Sequence, residues 1–119
     1  MCCGFAIKDK KYRPGETVTV TVHGEEKPLV WAGFAQKEKL DWWVEKKGFI
    51  KAVIPAEQFS ERADDTREIQ WDVVPEGMVI AALVDSESPI FKVLTRAATE
   101  AEEAKFRHPR MPYLVPVRQ

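Results

Sequence analysis

The sequence predicts an α+β fold: a curved, barrel-like, mainly antiparallel β-sheet with two short helices. Three observations lead there. Residues 17–23 read Thr-Val-Thr-Val-Thr-Val-His, a strict period of two that puts the valines on one face. Short apolar runs bounded by proline and glycine recur along the chain without the strand–helix alternation of a parallel sheet. Only two stretches, residues 36–47 and 99–106, carry helical signals.

Taken in order, residues 5–7 read as a short strand closed by the polar run 8–11 and a turn at Pro14 and Gly15. After the 17–23 strand, parity places His23 on the threonine face, and residues 24–28 read as a turn into a strand over 29–34. Leu40, Trp43, Val44 and Lys47 then recur at helical spacing, so residues 36–47 are expected to be an amphipathic helix stopped by Gly48. The pair Trp42 and Trp43 offers either a helix-face anchor or a base-stacking platform, the anchor being the commoner use. Residues 49–54 form an apolar strand halted by Pro55, and residues 56–67 read as an irregular, acidic connection. Residues 68–74 alternate Ile69, Trp71 and Val73 on one half-buried face. The continuous apolar run 78–84 suggests a strand buried on both faces, in a hairpin with the strand before it. Residues 90–95 supply another strand. Thr99 is placed to cap a helix through Phe106, with Glu100, Glu102 and Glu103 in its first turn and Pro109 beyond its end. Residues 113–117 finish as an extended segment.

With 119 residues the chain suits one domain, 1–119, large enough to bury a core. Its net charge of −1 gives no global attraction to nucleic acid, so any such binding requires a local patch. No apolar run approaches the ~20 residues that span a bilayer, and no signal peptide opens the chain, so a cytoplasmic protein without a membrane partner is expected. Two adjacent cysteines make neither a disulfide framework nor a zinc site, and no cofactor or metal is expected. A monomer is the expected state.

The chemistry of interest begins at Cys2. If Met1 is removed, Cys2 carries an amine and a thiol on adjacent carbons, and this 1,2-aminothiol can close a five-membered thiazolidine on an aldehyde. Its amine titrates near ~8 and its thiol near ~8.5, so both are partly nucleophilic at neutral pH. Taken alone, a cysteine pair near a terminus is more often a pair of small buried hydrophobes. Glu61 alone is more often a solvated loop charge, and His108 alone serves equally well as a helix C-terminal cap.

Taken together, these residues resemble a known family. Met1 and Cys2, followed after one residue by Gly4 and Phe5, resemble the Met-Cys-Gly-Arg-Phe opening of the SOS response-associated peptidase family. Residues 51–62 resemble its Arg-Cys-Leu-Val-Pro-Ala-Asp-Gly-Phe-Tyr-Glu-Trp segment. Residues 81–85 and 93–98 are similar to its Ala-Gly-Leu-Trp-Glu and Ile-Leu-Thr-Thr-x-Ala stretches, and residues 108–112 match its His-x-Arg-Met-Pro loop. The resemblance covers residues 1–5 and roughly 49–115. It implies self-cleavage of Met1 and covalent capture of abasic sites in single-stranded DNA, with Cys2 as nucleophile and thiazolidine former. It implies Glu61 as the carboxylate beside Cys2 and His108 as proton donor or acceptor. Arg110 and Trp31 are the candidate substrate contacts, although an ion pair with a glutamate serves Arg110 equally well and the strand pattern reads Trp31 first as a packing anchor. The chain has no asparagine, and the family's Asn-Ala-Arg-Ala-Glu-Thr motif has no counterpart. A second reading therefore stands beside the first: a non-catalytic relative that keeps the fold as a binding or structural module.

Overall fold

The computed structural model describes residues 2–117, and the side chains of residues 4–117. Among the described residues eleven strands and two helices run in the order β1 (Cys2–Ile7), β2 (Lys10–Tyr12), β3 (Thr17–Val22), β4 (Glu25–Gln36), α1 (Leu40–Lys47), β5 (Phe49–Ile54), β6 (Gln58–Arg62), β7 (Ile69–Val73), β8 (Met78–Asp85), β9 (Ile90–Ala97), α2 (Glu100–Phe106), β10 (Arg110–Pro112) and β11 (Leu114–Pro116). A 3-10 turn, Lys37–Lys39, leads into α1.

The period-two valines explain β3, where Val18, Val20 and Val22 are buried while Thr17 and Thr19 face out. The chain then reverses more sharply than its sequence suggests. His23 and Gly24 both have positive φ (51° and 79°), and Val22 pairs with Glu25, so the reversal is a two-residue hairpin. Residues 24–28 are accordingly not a loop: Glu25 to Pro28 extend β4, and Pro28 sits opposite Thr19.

Strands β9, β4, β3, β5 and β8 pair in that order, and β8 pairs back onto β9, closing a five-stranded barrel. Among the described residues only the β4–β9 neighbours are parallel. The β8–β9 hairpin is joined at Ala82–Val93, Leu83–Lys92 and Val84–Phe91, then forks. Residues 110–116 fill the fork, with β10 on β9 and β11 on β8. Tyr113 stands at the branch point, donating its amide to the Leu94 carbonyl and accepting the Ala81 amide, each at 2.8 Å.

A second, antiparallel sheet with order β2-β1-β6-β7 lies against the barrel. Between them sits the main core, which includes Phe5, Trp31, Ile54, Phe59, Ile80, Phe91, Phe106 and Met111. A smaller cluster around Phe49, Leu83 and Leu94 is covered by Leu40, Trp43 and Val44 of α1. Trp43 packs edge-on against Phe49, which settles it as the anchor, while Trp42 remains 46% exposed. At α2 the capping box is complete: the Thr99 hydroxyl accepts the Glu102 amide and the Glu102 carboxylate accepts the Thr99 amide.

Three further expectations are corrected. Residues 56–67 contain β6, a strand with Phe59, Ser60 and Glu61 buried, where polar composition suggested a loop. Strands β7 and β8 form no hairpin, because β7 pairs with β6 and β8 with β5. The apolar row of β7 points outward, leaving Ile69 50% and Val73 62% exposed. Among the described residues no helix is long and apolar enough to cross a membrane.

Candidate functional site

Strand β1 carries Cys2 and β6 carries Glu61, and the two residues are paired across the antiparallel ladder. The register then slips, with Gly4 opposite Ser60, so Cys3 is the extra residue of a β-bulge. The proposed roles of the Cys2 thiol and amine, and of Met1, lie outside the described residues.

Alternation along β6 places Glu61 on the side of Phe59, which faces the core and meets Phe106 with ring centroids 6.0 Å apart. Glu61 is consequently 0% exposed. Burial pushes its carboxyl up to about 7, while the charge of the chain's amino terminus acts in the opposite sense. A carboxyl that titrates near neutrality can both give and take a proton.

On the opposite face of the same sheet, Ser60 is buried and Gly4 comes very close to its neighbours. A Cβ at Gly4 would lie 2.9 Å from the Tyr12 carbonyl oxygen, 3.1 Å from Ser60 Oγ and 3.7 Å from the Trp71 ring. Glycine is thus what lets β1 seat between β2 and β6. The Lys11 ammonium lies 4.8 Å over the Trp71 ring, adding a cation–π contact on this face.

His108 enters from the other end of the chain. Helix α2 is capped at its C-terminal end by Arg107, whose φ of 56° turns the chain into the left-handed region, and the next residues form the His108 loop. Nδ1 of His108 accepts the Arg110 amide at 3.0 Å, and Nε2 lies 3.4 Å from the Asp64 carboxylate. Nδ1 also lies 3.1 Å from the Arg110 carbonyl, so an unprotonated Nδ1 accepts the Arg110 amide and a protonated one donates to the Arg110 carbonyl. The Asp64 amide also donates to the Arg107 carbonyl at 3.0 Å. Asp64 lies two residues beyond the end of β6, so the His108 loop is fastened to the segment that follows Glu61. Strand β10, which follows the loop, packs against β1. The Cys2 strand, the Glu61 strand and the His108 loop therefore share one region of the molecule. Beside the His108 loop an open hollow of about 540 Å³ is lined by residues including Asp64, Glu103, Arg107 and His108.

The two candidate substrate contacts are engaged elsewhere. Arg110 makes a bidentate ion pair with Glu38 (2.6 and 2.9 Å) and donates to the Thr95 carbonyl at 2.8 Å. Its hydrogen bond holds the Glu38 carboxyl down to about 2. Of the two readings open for Arg110, the internal ion pair is the one found. Trp31 is 1% exposed and packs against Phe5 (4.7 Å) and Phe91 (6.2 Å), so it is a core anchor and not a substrate contact.

Sequence reasoning missed Asp64, which had no distinguishing mark in an acidic run, and Thr95, whose role depends on Arg110 reaching across from β10. Among the described residues no group of three His, Cys, Asp or Glu side chains could hold a metal ion. Compared with protein-family models, curated proteins and solved structures, the chain gives no match to any of them.

Proposed function

We propose that the chain is a shortened relative of the SOS response-associated peptidases, acting in the cytoplasm to capture abasic sites in single-stranded DNA through Cys2. The observation that carries this reading is the pairing of Cys2 with Glu61, a fully buried carboxyl pushed up to about 7. Perturbed carboxyls of this kind are characteristic of proton-transfer sites.

In the proposed sequence, water first cleaves the Met1–Cys2 peptide bond and frees the Cys2 amine. The ring-opened abasic sugar presents an aldehyde. The amine adds to its carbonyl carbon, the resulting carbinolamine loses water to give an imine, and the thiol sulfur then adds to the same carbon. One C–N and one C–S bond form, and the aldehyde oxygen leaves as one water molecule. Protonated Glu61 delivers a proton to the departing oxygen, and its carboxylate receives one from the attacking amine. His108, held by Asp64 and the Arg110 amide, exchanges protons with solvent at the open hollow.

The test is a denaturing gel of the protein incubated with a single-stranded oligonucleotide carrying one abasic site, beside the same oligonucleotide reduced to the alcohol. An adduct with the aldehyde form alone supports the reading. Equal adduct with both forms, or none with either, removes it.

A second reading, a non-catalytic binding or structural module, is favoured by one observation: Arg110 and Trp31 are both committed to internal contacts. It predicts that Cys2→Ala leaves function unchanged.

A further inference from the structure

We infer that β7 is a self-pairing edge through which two copies of this chain associate about a two-fold axis. The strand order β2-β1-β6-β7 leaves two edges on the smaller sheet, and they differ in kind. Strand β2 is three residues long and carries Lys10 and Lys11, the usual protection against edge-to-edge pairing. Strand β7 has no lysine or proline, and its outer face carries Ile69 and Val73, both exposed, with the half-buried Trp71 between them.

The hydrogen-bond phase of β7 is fixed by its ends. Val74 donates its amide to the Glu57 carbonyl at 2.8 Å, and Ala63 donates to the Glu68 carbonyl at 2.9 Å. Alternation then turns the main-chain groups of Gln70 and Asp72 toward β6 and those of Ile69, Trp71 and Val73 toward the open edge. Among the described residues no hydrogen bond engages the outward amides of Ile69 and Trp71. The Val73 amide is bonded only by the adjacent Asp72 carboxylate, at 2.8 Å.

These residues are complementary to themselves. With Trp71 on the two-fold axis, Ile69 of one copy lies opposite Val73 of the other, and all the outward groups fall in hydrogen-bonded pairs. That register exchanges about six main-chain hydrogen bonds. It sets Ile69 beside Val73 twice, covering the side chains that are 50% and 62% exposed in the single chain, while each Trp71 ring stays turned across β6 toward Gly4 and Lys11. On the other face Gln70 comes opposite Asp72, so the carboxamide can donate to the carboxylate and no like charges are directly opposed. Asp72 is already accompanied by Lys105 at 3.0 Å. A two-fold interface closes on itself, so association stops at the dimer and the smaller sheets join into one continuous sheet.

Sedimentation equilibrium under reducing conditions tests it, with Ile69→Pro and Val73→Lys alongside. Proline at 69 removes an amide that β6 does not use, and lysine at 73 replaces an exposed side chain. The expected result is a mass that rises with concentration from the 13.6 kDa of one chain toward twice that value. Both variants should stay at the single-chain mass while keeping the native circular dichroism. If the variant with proline fails to fold, the lysine variant alone decides. A wild-type chain that remains single at the highest concentration, or a folded lysine variant that associates as the wild type does, overturns the proposal.

Discussion

Cys2 and Glu61 stand opposite each other on adjacent antiparallel strands, which sets the residue of the proposed nucleophile beside a carboxyl withdrawn from water. Neither feature would matter alone. A solvated Glu61 would be ionised at neutral pH and useless as an acid, whereas one raised to about 7 is divided between both forms.

Glu61 also makes stability depend on pH in a direction opposite to most carboxylates. Its folded value of about 7 exceeds the 4.5 of the free group, so between these values the folded state holds more protons than the unfolded state. Stability from this group is fully present below pH 4.5 and is lost as pH rises through 7, by on the order of 3 kcal/mol. Denaturant melts of wild type and Glu61→Gln at pH 5 and pH 7.5 should differ accordingly, the variant losing less stability on going to the higher pH. Parallel pH profiles would show that Glu61 titrates normally.

Gly4→Ala should be costly despite its size. The added methyl meets the Tyr12 carbonyl oxygen at 2.9 Å, a main-chain atom that cannot swing aside. A loss of about 1–3 kcal/mol is expected from such overpacking, read as a lowered melting temperature. Because β1 carries Cys2, the same variant should also form adduct more slowly.

Arg110 and Glu38 should respond unequally to truncation. Arg110→Ala removes the bonds to Thr95 as well as the ion pair and is expected to cost about 1–3 kcal/mol. Glu38→Ala breaks an exposed pair and leaves Arg110 its bonds to Thr95, so its effect on the melting temperature should be much smaller. If Arg110 instead served mainly to hold DNA, Arg110→Ala would leave the melting temperature unchanged.

Thr99→Ala should lower stability by about 1 kcal/mol, because both halves of the capping box at α2 depend on the hydroxyl or on the geometry it fixes. A matched thermal melt reads this directly.

The parts of the fold legible in the sequence were those whose signal is local. The valines of β3, the cap at Thr99 and the glycine that ends α1 each act through neighbours a few residues away. Strand β6 was not legible, because Gln58, Ser60, Glu61 and Arg62 are polar and its place is set by β1 and β7 on either side. For the same reason the burial of Glu61 was invisible: a glutamate in an acidic stretch reads as solvated until the strand that covers it is known. The apolar row of β7 signalled a strand, but period-two alternation cannot tell which face meets the core, and there the row points outward. The fork in the β8–β9 hairpin, filled by residues 110–116, rests on pairings across long sequence separations that no local pattern encodes.

The central claim is tested most directly by the intact mass of the purified chain, before and after incubation with single-stranded DNA bearing one abasic site, with Cys2→Ala beside it. The account predicts a mass lacking Met1, then a new species heavier by the oligonucleotide less one water, absent from Cys2→Ala. Retention of Met1, or an adduct that forms equally well in Cys2→Ala, would contradict it.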